Sequence, residues 1–162
     1  MEFKISERLN MNNLTLEKCK ARLSNPNTPN KEILEALQYL ETCNNPVVVD
    51  ILLKYLEREL PNIQGSQEVE VAKSILVLKY SNSDDLGSEE KNILLSYCKT
   101  NTLNLQDIVL ELLDGYWDKD DLSFLESLEF PENPIAQKLH LKALAELHSS
   151  KLKAFVRKYG LS

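Results

Sequence analysis

The chain has 162 residues, enough for one domain with its own core or for one short stack of repeats. It is 43% hydrophobic and 27% charged, and its four glycines and six prolines are too few for an all-β protein built on tight turns. The formal charge of −6 argues against a nucleic-acid binder, and no stretch approaches the roughly 20 apolar residues of a membrane span.

The elements are helical throughout. A first helix, or a pair of short ones, is expected between Ser6 and Leu23, before the breaker "SNPNTPN". "KEILEALQYLETC" then sets Ile33, Leu34, Leu37 and Leu40 on one face. Asn45 caps the next helix, with Pro46 at its first position. That helix, "PVVVDILLKYLEREL", is apolar except for Asp50, Lys54, Glu57 and Arg58, so it belongs between two layers. Ser66 caps "QEVEVAKSILVLKY", and Ser88 is expected to cap "EEKNILLSYCK". Asn104 and Asp107 have the spacing of a capping box for "LQDIVLELLDGYW", whose stripe is Leu105, Ile108, Val109, Leu112, Leu113 and Tyr116. Asp118 and Asp121 repeat that spacing before "DKDDLSFLESL". Asn133 and Pro134 open a helix with the stripe Ala136, Leu139, Ala143, Leu144 and Leu147. Ser149 caps the last helix, closed by Gly160.

These helices pair. First members start near residues 31, 67, 105 and 134, at intervals of 36, 38 and 29 residues. "KEILEALQYLETCNNPVVVDILLKYLE" resembles a repeat of the HEAT family, the α-solenoids of armadillo type, through Ala36, Leu37, Leu40, Pro46, Val49, Leu52, Leu53 and Leu56. Val69, Ala72 and Leu76 carry the likeness into the second repeat, and Ile135, Leu139, Ala143, Leu144 and Leu147 into the last. Glu70 and Gln137 stand where that family often has arginine. The resemblance spans about residues 31–159 and implies one all-α domain, a short right-handed solenoid of about four hairpins. The hairpins would cover residues 31–60, 66–100, 104–129 and 133–160, behind an N-terminal helical cap over 1–28.

The acidity is concentrated. Residues 107–132 hold nine acids against Lys119 alone, a balance of −8, while residues 133–162 carry +5. The aspartates of "DKDD" do not make a calcium loop. Counted from Asp118, the fifth place is the apolar Leu122, the sixth is Ser123 where glycine is needed, and Glu129 is twelfth. Asp107, Glu111 and Asp114 fall on one line, expected to face water and so unsuited to acid–base work. His140 is expected beside the core and His148 at a helix end, and neither belongs to a nucleophilic triad. No glycine-rich phosphate loop is present. Cys19, Cys43 and Cys98 are widely spaced, without a CxxC, and read as reduced thiols rather than as a disulfide or a zinc site. The basic block Lys151, Lys153, Arg157 and Lys158 reads as a solvated helix whose last turn complements the helix dipole.

What remains is a binding surface. Leu110 and Trp117 lie beside the acidic line, and a tryptophan bordered by carboxylates suits an anchor for a basic partner. The expected site is Asp107, Glu111, Asp114, Trp117, Asp118, Asp120 and Asp121, with no catalytic group, cofactor or metal, and no nucleic acid, membrane or small-molecule substrate as partner. The opening "MEFKISERLN" has no apolar run of a secretory signal, so a cytoplasmic protein is expected, and its initial Met suggests a whole small protein. A small, acidic, HEAT-like chain rich in Asn, Lys, Leu and Ile is similar, as a class, to bacterial immunity proteins. That likeness implies non-enzymatic neutralisation of a basic toxin such as a nuclease. The alternative is an adaptor subunit that assembles proteins along the solenoid groove.

Overall fold

The computed structural model describes residues 14–60, 66–80, 86–100 and 102–159. It is all-α. Nine α-helices and one 3-10 turn are found among the described residues, with no strand. The helices are α1 (Leu16–Ser24), α2 (Asn30–Thr42), α3 (Val47–Glu59), α4 (Gln67–Tyr80), α5 (Ser88–Ser96), α6 (Leu103–Leu113), α7 (Leu122–Ser127), α8 (Pro134–Glu146) and α9 (Leu152–Tyr159); the 3-10 turn covers Lys119–Asp121. The chain divides into two compact units, Met1–Asp85 and Leu86–Ser162. No helix among the described residues is long and apolar enough to cross a membrane.

Local chemistry places most helix starts. Asn45 Oδ1 accepts from the Val47 amide at 3.0 Å, Ser66 Oγ from Val69 at 3.2 Å, and Asn133 Oδ1 from Ile135 at 2.8 Å. Thr15 caps α1, its hydroxyl accepting from Lys18. Two starts differ from expectation. The cap of α5 is Gly87 rather than Ser88, because Glu90 reaches back to the Gly87 amide at 3.2 Å. The box expected from Asn104 and Asp107 does not cap α6, which begins earlier, after Thr102. The start expected near Ser6 and the closing Gly160 lie outside the described residues.

In the first unit, α1 and α2 run antiparallel. Cys19 Sγ donates to the Ala36 carbonyl, and Arg22 reaches the Glu32 carbonyl at 3.2 Å and the Glu35 carboxylate at 3.4 Å. Burial raises the Cys19 pKa to about 11, so the thiol stays protonated. Helix α3 packs on both α1 and α4, as its wide apolar surface requires. It buries Val48, Val49, Ile51, Leu52, Leu53, Tyr55 and Leu56. Helices α2 and α4 pack side by side in parallel, since Lys79 at the end of α4 donates to the carbonyls of Glu41 and Cys43 at the end of α2, at 2.8 and 2.7 Å. An ammonium on the last carbonyls of a helix satisfies orphan acceptors and complements the dipole. Lys79→Ala is therefore expected to destabilise the protein by about 1–2 kcal/mol, read as a lower urea midpoint with an unchanged slope.

In the second unit, α6 packs on α5 and α8, and α8 also packs on α7 and α9. Helices α6 and α8 are again parallel. Asn133 at the start of α8 donates to Leu103 O at the start of α6 at 3.4 Å, and Lys142 late in α8 meets Asp114 at the end of α6 at 2.9 Å. One core cluster here is Leu125, Leu128, Ala143 and Leu144, with Trp117, Phe124, Leu147 and Phe155 packed against it.

Candidate functional site

Helix α6 stops at Leu113, earlier than the pattern "LQDIVLELLDGYW" suggested. Gly115, at φ +88°, takes the left-handed conformation that ends a helix cheaply only in glycine. Tyr116 and Trp117 are thereby outside the helix, in the segment leading to the 3-10 turn. The half-buried indole of Trp117 lies against the Leu125–Leu144 core. Leu110, expected at the surface beside the acids, is buried, because α6 is covered by both α5 and α8.

The same packing separates the acids. Asp107 is half-buried, so the line of Asp107, Glu111 and Asp114 is not evenly solvated; Glu111 is exposed. Asp114 caps the C-terminus of α6 and binds the Lys142 ammonium. The Asp114 carboxylate raises the Lys142 pKa above its ordinary value.

The aspartates of the turn are arranged around one cation. Asp121 Oδ2 accepts from the Asp118 amide at 2.9 Å, the reach-back half of the expected box. Lys91 of α5 then bridges both carboxylates, at 2.6 Å to Asp121 and 3.1 Å to Asp118. Lys91 and Asp121 are 16% and 14% exposed, so that pair is largely withdrawn from water, whereas Asp118 keeps 64% of its side-chain surface. Burial opposes the Lys91 charge, but hydrogen bonds to the two aspartates outweigh it and its pKa is raised. The hydrogen bond from Lys91 holds the Asp118 carboxyl below its ordinary value. A general acid at neutral pH needs the opposite shift, so Asp118 is tuned to stay ionised. Asp120 is exposed.

The expected site is thus brought together only in part. Asp118, Asp120, Asp121 and Trp117 share one short segment, Glu111 lies on the last turn of α6 with Asp114 as its C-cap, and Asp107 is recessed. Sequence reasoning missed Lys91 and Lys142, which partner the acids from 27 to 30 residues away; no local pattern marks such partners. It also placed His140 beside the core, whereas the ring is 1% exposed. Its Nε2–H donates to the Leu125 carbonyl at 3.2 Å, and the rings of Phe130 and Phe155 lie 5.5 and 5.8 Å away. His148 does mark a helix end, with φ +56° just past α8. Among the described residues no three His, Cys, Asp or Glu side chains are placed to hold a metal ion together.

No family model matches the sequence, and neither a curated protein nor a solved structure matches it.

Proposed function

We propose that the chain is a short right-handed α-solenoid of HEAT type, with about four hairpins and an N-terminal helical cap, that serves as a non-enzymatic protein-binding module in the cytoplasm. Support for the solenoid comes from the two parallel helix pairs. The contacts of α2 with α4 join residues 36 and 38 apart, and those of α6 with α8 join residues 28 and 30 apart. Those offsets agree with the 36- and 29-residue intervals between first helices, as expected where one repeat stacks on the next.

The partner we propose is a basic protein, and the role that of an acidic immunity protein neutralising a basic toxin such as a nuclease. The observation that carries this is the set of carboxylates still facing solvent after the two lysines have taken their share: Glu111, Asp118 and Asp120, within ten residues and around Trp117. The Lys91 bridge orders this surface in advance, which lowers the entropy lost on binding. Exposed acids would steer a cationic partner and speed its association at low salt.

The test uses exposed positions whose side chains make no ion pair among the described residues. Glu111→Lys with Asp120→Lys should weaken binding to a basic protein partner captured by the native chain by about a hundredfold and flatten its salt dependence, with association slowed most. Calorimetry and stopped-flow at low and high salt would show it. Unchanged affinity and unchanged salt dependence together would remove the acidic surface from the reading.

A further inference from the structure

The first unit carries a second candidate surface of opposite character. Between α1 and α3 lies a half-open slot of about 150 Å³. Its floor is apolar, formed by Leu23, Ile51 and the ring of Tyr55. Its rim is cationic, formed by Lys20, Lys54 and Arg58. Lys20 makes no ion pair among the described residues. Lys54 pairs with Asp50 at 3.2 Å and Arg58 with Glu59 at 2.7 Å, yet neither carboxylate lines the slot. The Lys54–Asp50 pair, with Lys54 60% exposed, is of the kind worth little and can exchange for a better-placed anion, whereas Glu59 is only 15% exposed and keeps its hold on Arg58. The Arg58 guanidinium lies over the Tyr55 ring, 5.7 Å from its centre, which orients its fork.

We propose that this slot takes one bulky apolar side chain, leucine or phenylalanine, from an acidic segment of a protein partner, with flanking Asp or Glu held by the rim. Size decides between a side chain and a whole small molecule. Sites for drug-sized ligands occupy roughly 300–1,000 Å³, and this slot offers half of that lower bound or less. Charge decides the flanks, because three cationic residues line the slot and, among the described residues, no carboxylate does. The surface belongs to the first unit alone and does not depend on the acidic surface of the second.

The probe is a fluorescein-labelled octapeptide with one central phenylalanine among glutamates, followed by anisotropy on the full chain. Saturable binding is expected, weakened about tenfold when alanine replaces the phenylalanine. Lys20→Glu with Lys54→Gln should weaken it about tenfold as well, and added salt should weaken it further. Both substituted side chains are exposed, so the melting temperature should hold; Lys20→Glu alone serves if the double variant is unstable. Three results would overturn the proposal: no saturation at millimolar peptide, equal binding of a lysine-flanked peptide, or affinity that the variants leave unchanged. Preferential uptake by phosphatidylglycerol vesicles over the peptide would make the slot a lipid site and overturn it too.

Discussion

Replacing His140 by alanine is expected to destabilise the second unit by about 3 kcal/mol, from the cavity left by a buried ring and the loss of its hydrogen bond. The imidazole is a junction. It donates to the Leu125 carbonyl of α7, stands on α8, and packs against Phe130 and against Phe155 of α9. Because only Nε2–H can bond a carbonyl, the neutral tautomer is defined. Burial pulls the pKa of this histidine below the ordinary 6.5, against the opposing pull of the carbonyl. The unfolded chain therefore takes up the proton first as the pH falls. The contribution of His140 to stability is complete above pH 6.5 and is lost progressively below it, down to the depressed folded value. Urea unfolding between pH 7.5 and 5 is the measurement, followed by the fluorescence of Trp117, the only tryptophan, which packs on the core of the same unit. His140→Gln keeps a donor but does not titrate, and should flatten the pH dependence between 6.5 and 5. A variant as pH-sensitive as the native chain would show that another group carries the effect.

Lys91→Met should cost about 2 kcal/mol, chiefly through Asp121, which would remain largely buried with its charge unpaired. Asp118 is well exposed and adds little of its own to that loss. The distinctive expectation is in the combination. Lys91→Met with Asp121→Leu should recover much of the loss, because removing both charges leaves nothing desolvated and unpaired. Equal destabilisation by the single and double variants would mean that Asp121 matters as a cap on the Asp118 amide rather than as the partner of Lys91. Binding gives a second readout. With Lys91 gone the turn carries one more uncompensated charge but loses its fixed geometry, so a partner should associate as fast or faster and dissociate faster.

Much of this protein was legible one helix at a time. The caps at Asn45, Ser66 and Asn133 and the Asp118–Asp121 turn depend on contacts two or three residues apart, which spacing alone defines. The apolar width of α3 required cover on two sides, and α1 and α4 supply it. The errors came where two local signals competed. Asn104 and Asp107 offered a box, but α6 starts after Thr102, which carries Asp107 into the helix body. Gly115 stops α6 before Tyr116, although its spacing continued the apolar stripe.

Sequence by itself determined that the chain is helical, where most helices begin, and that its negative charge collects between Asp107 and Glu132. Only the tertiary structure decided how much of that charge remains open to a partner, which acids are bridged by Lys91 and Lys142, and that His140 is buried among aromatic rings. The reason is range. A cap or an amphipathic stripe is complete within one turn or one helix, whereas a carboxylate's partner and a histidine's surroundings are chosen by whichever helix packs alongside, tens of residues away.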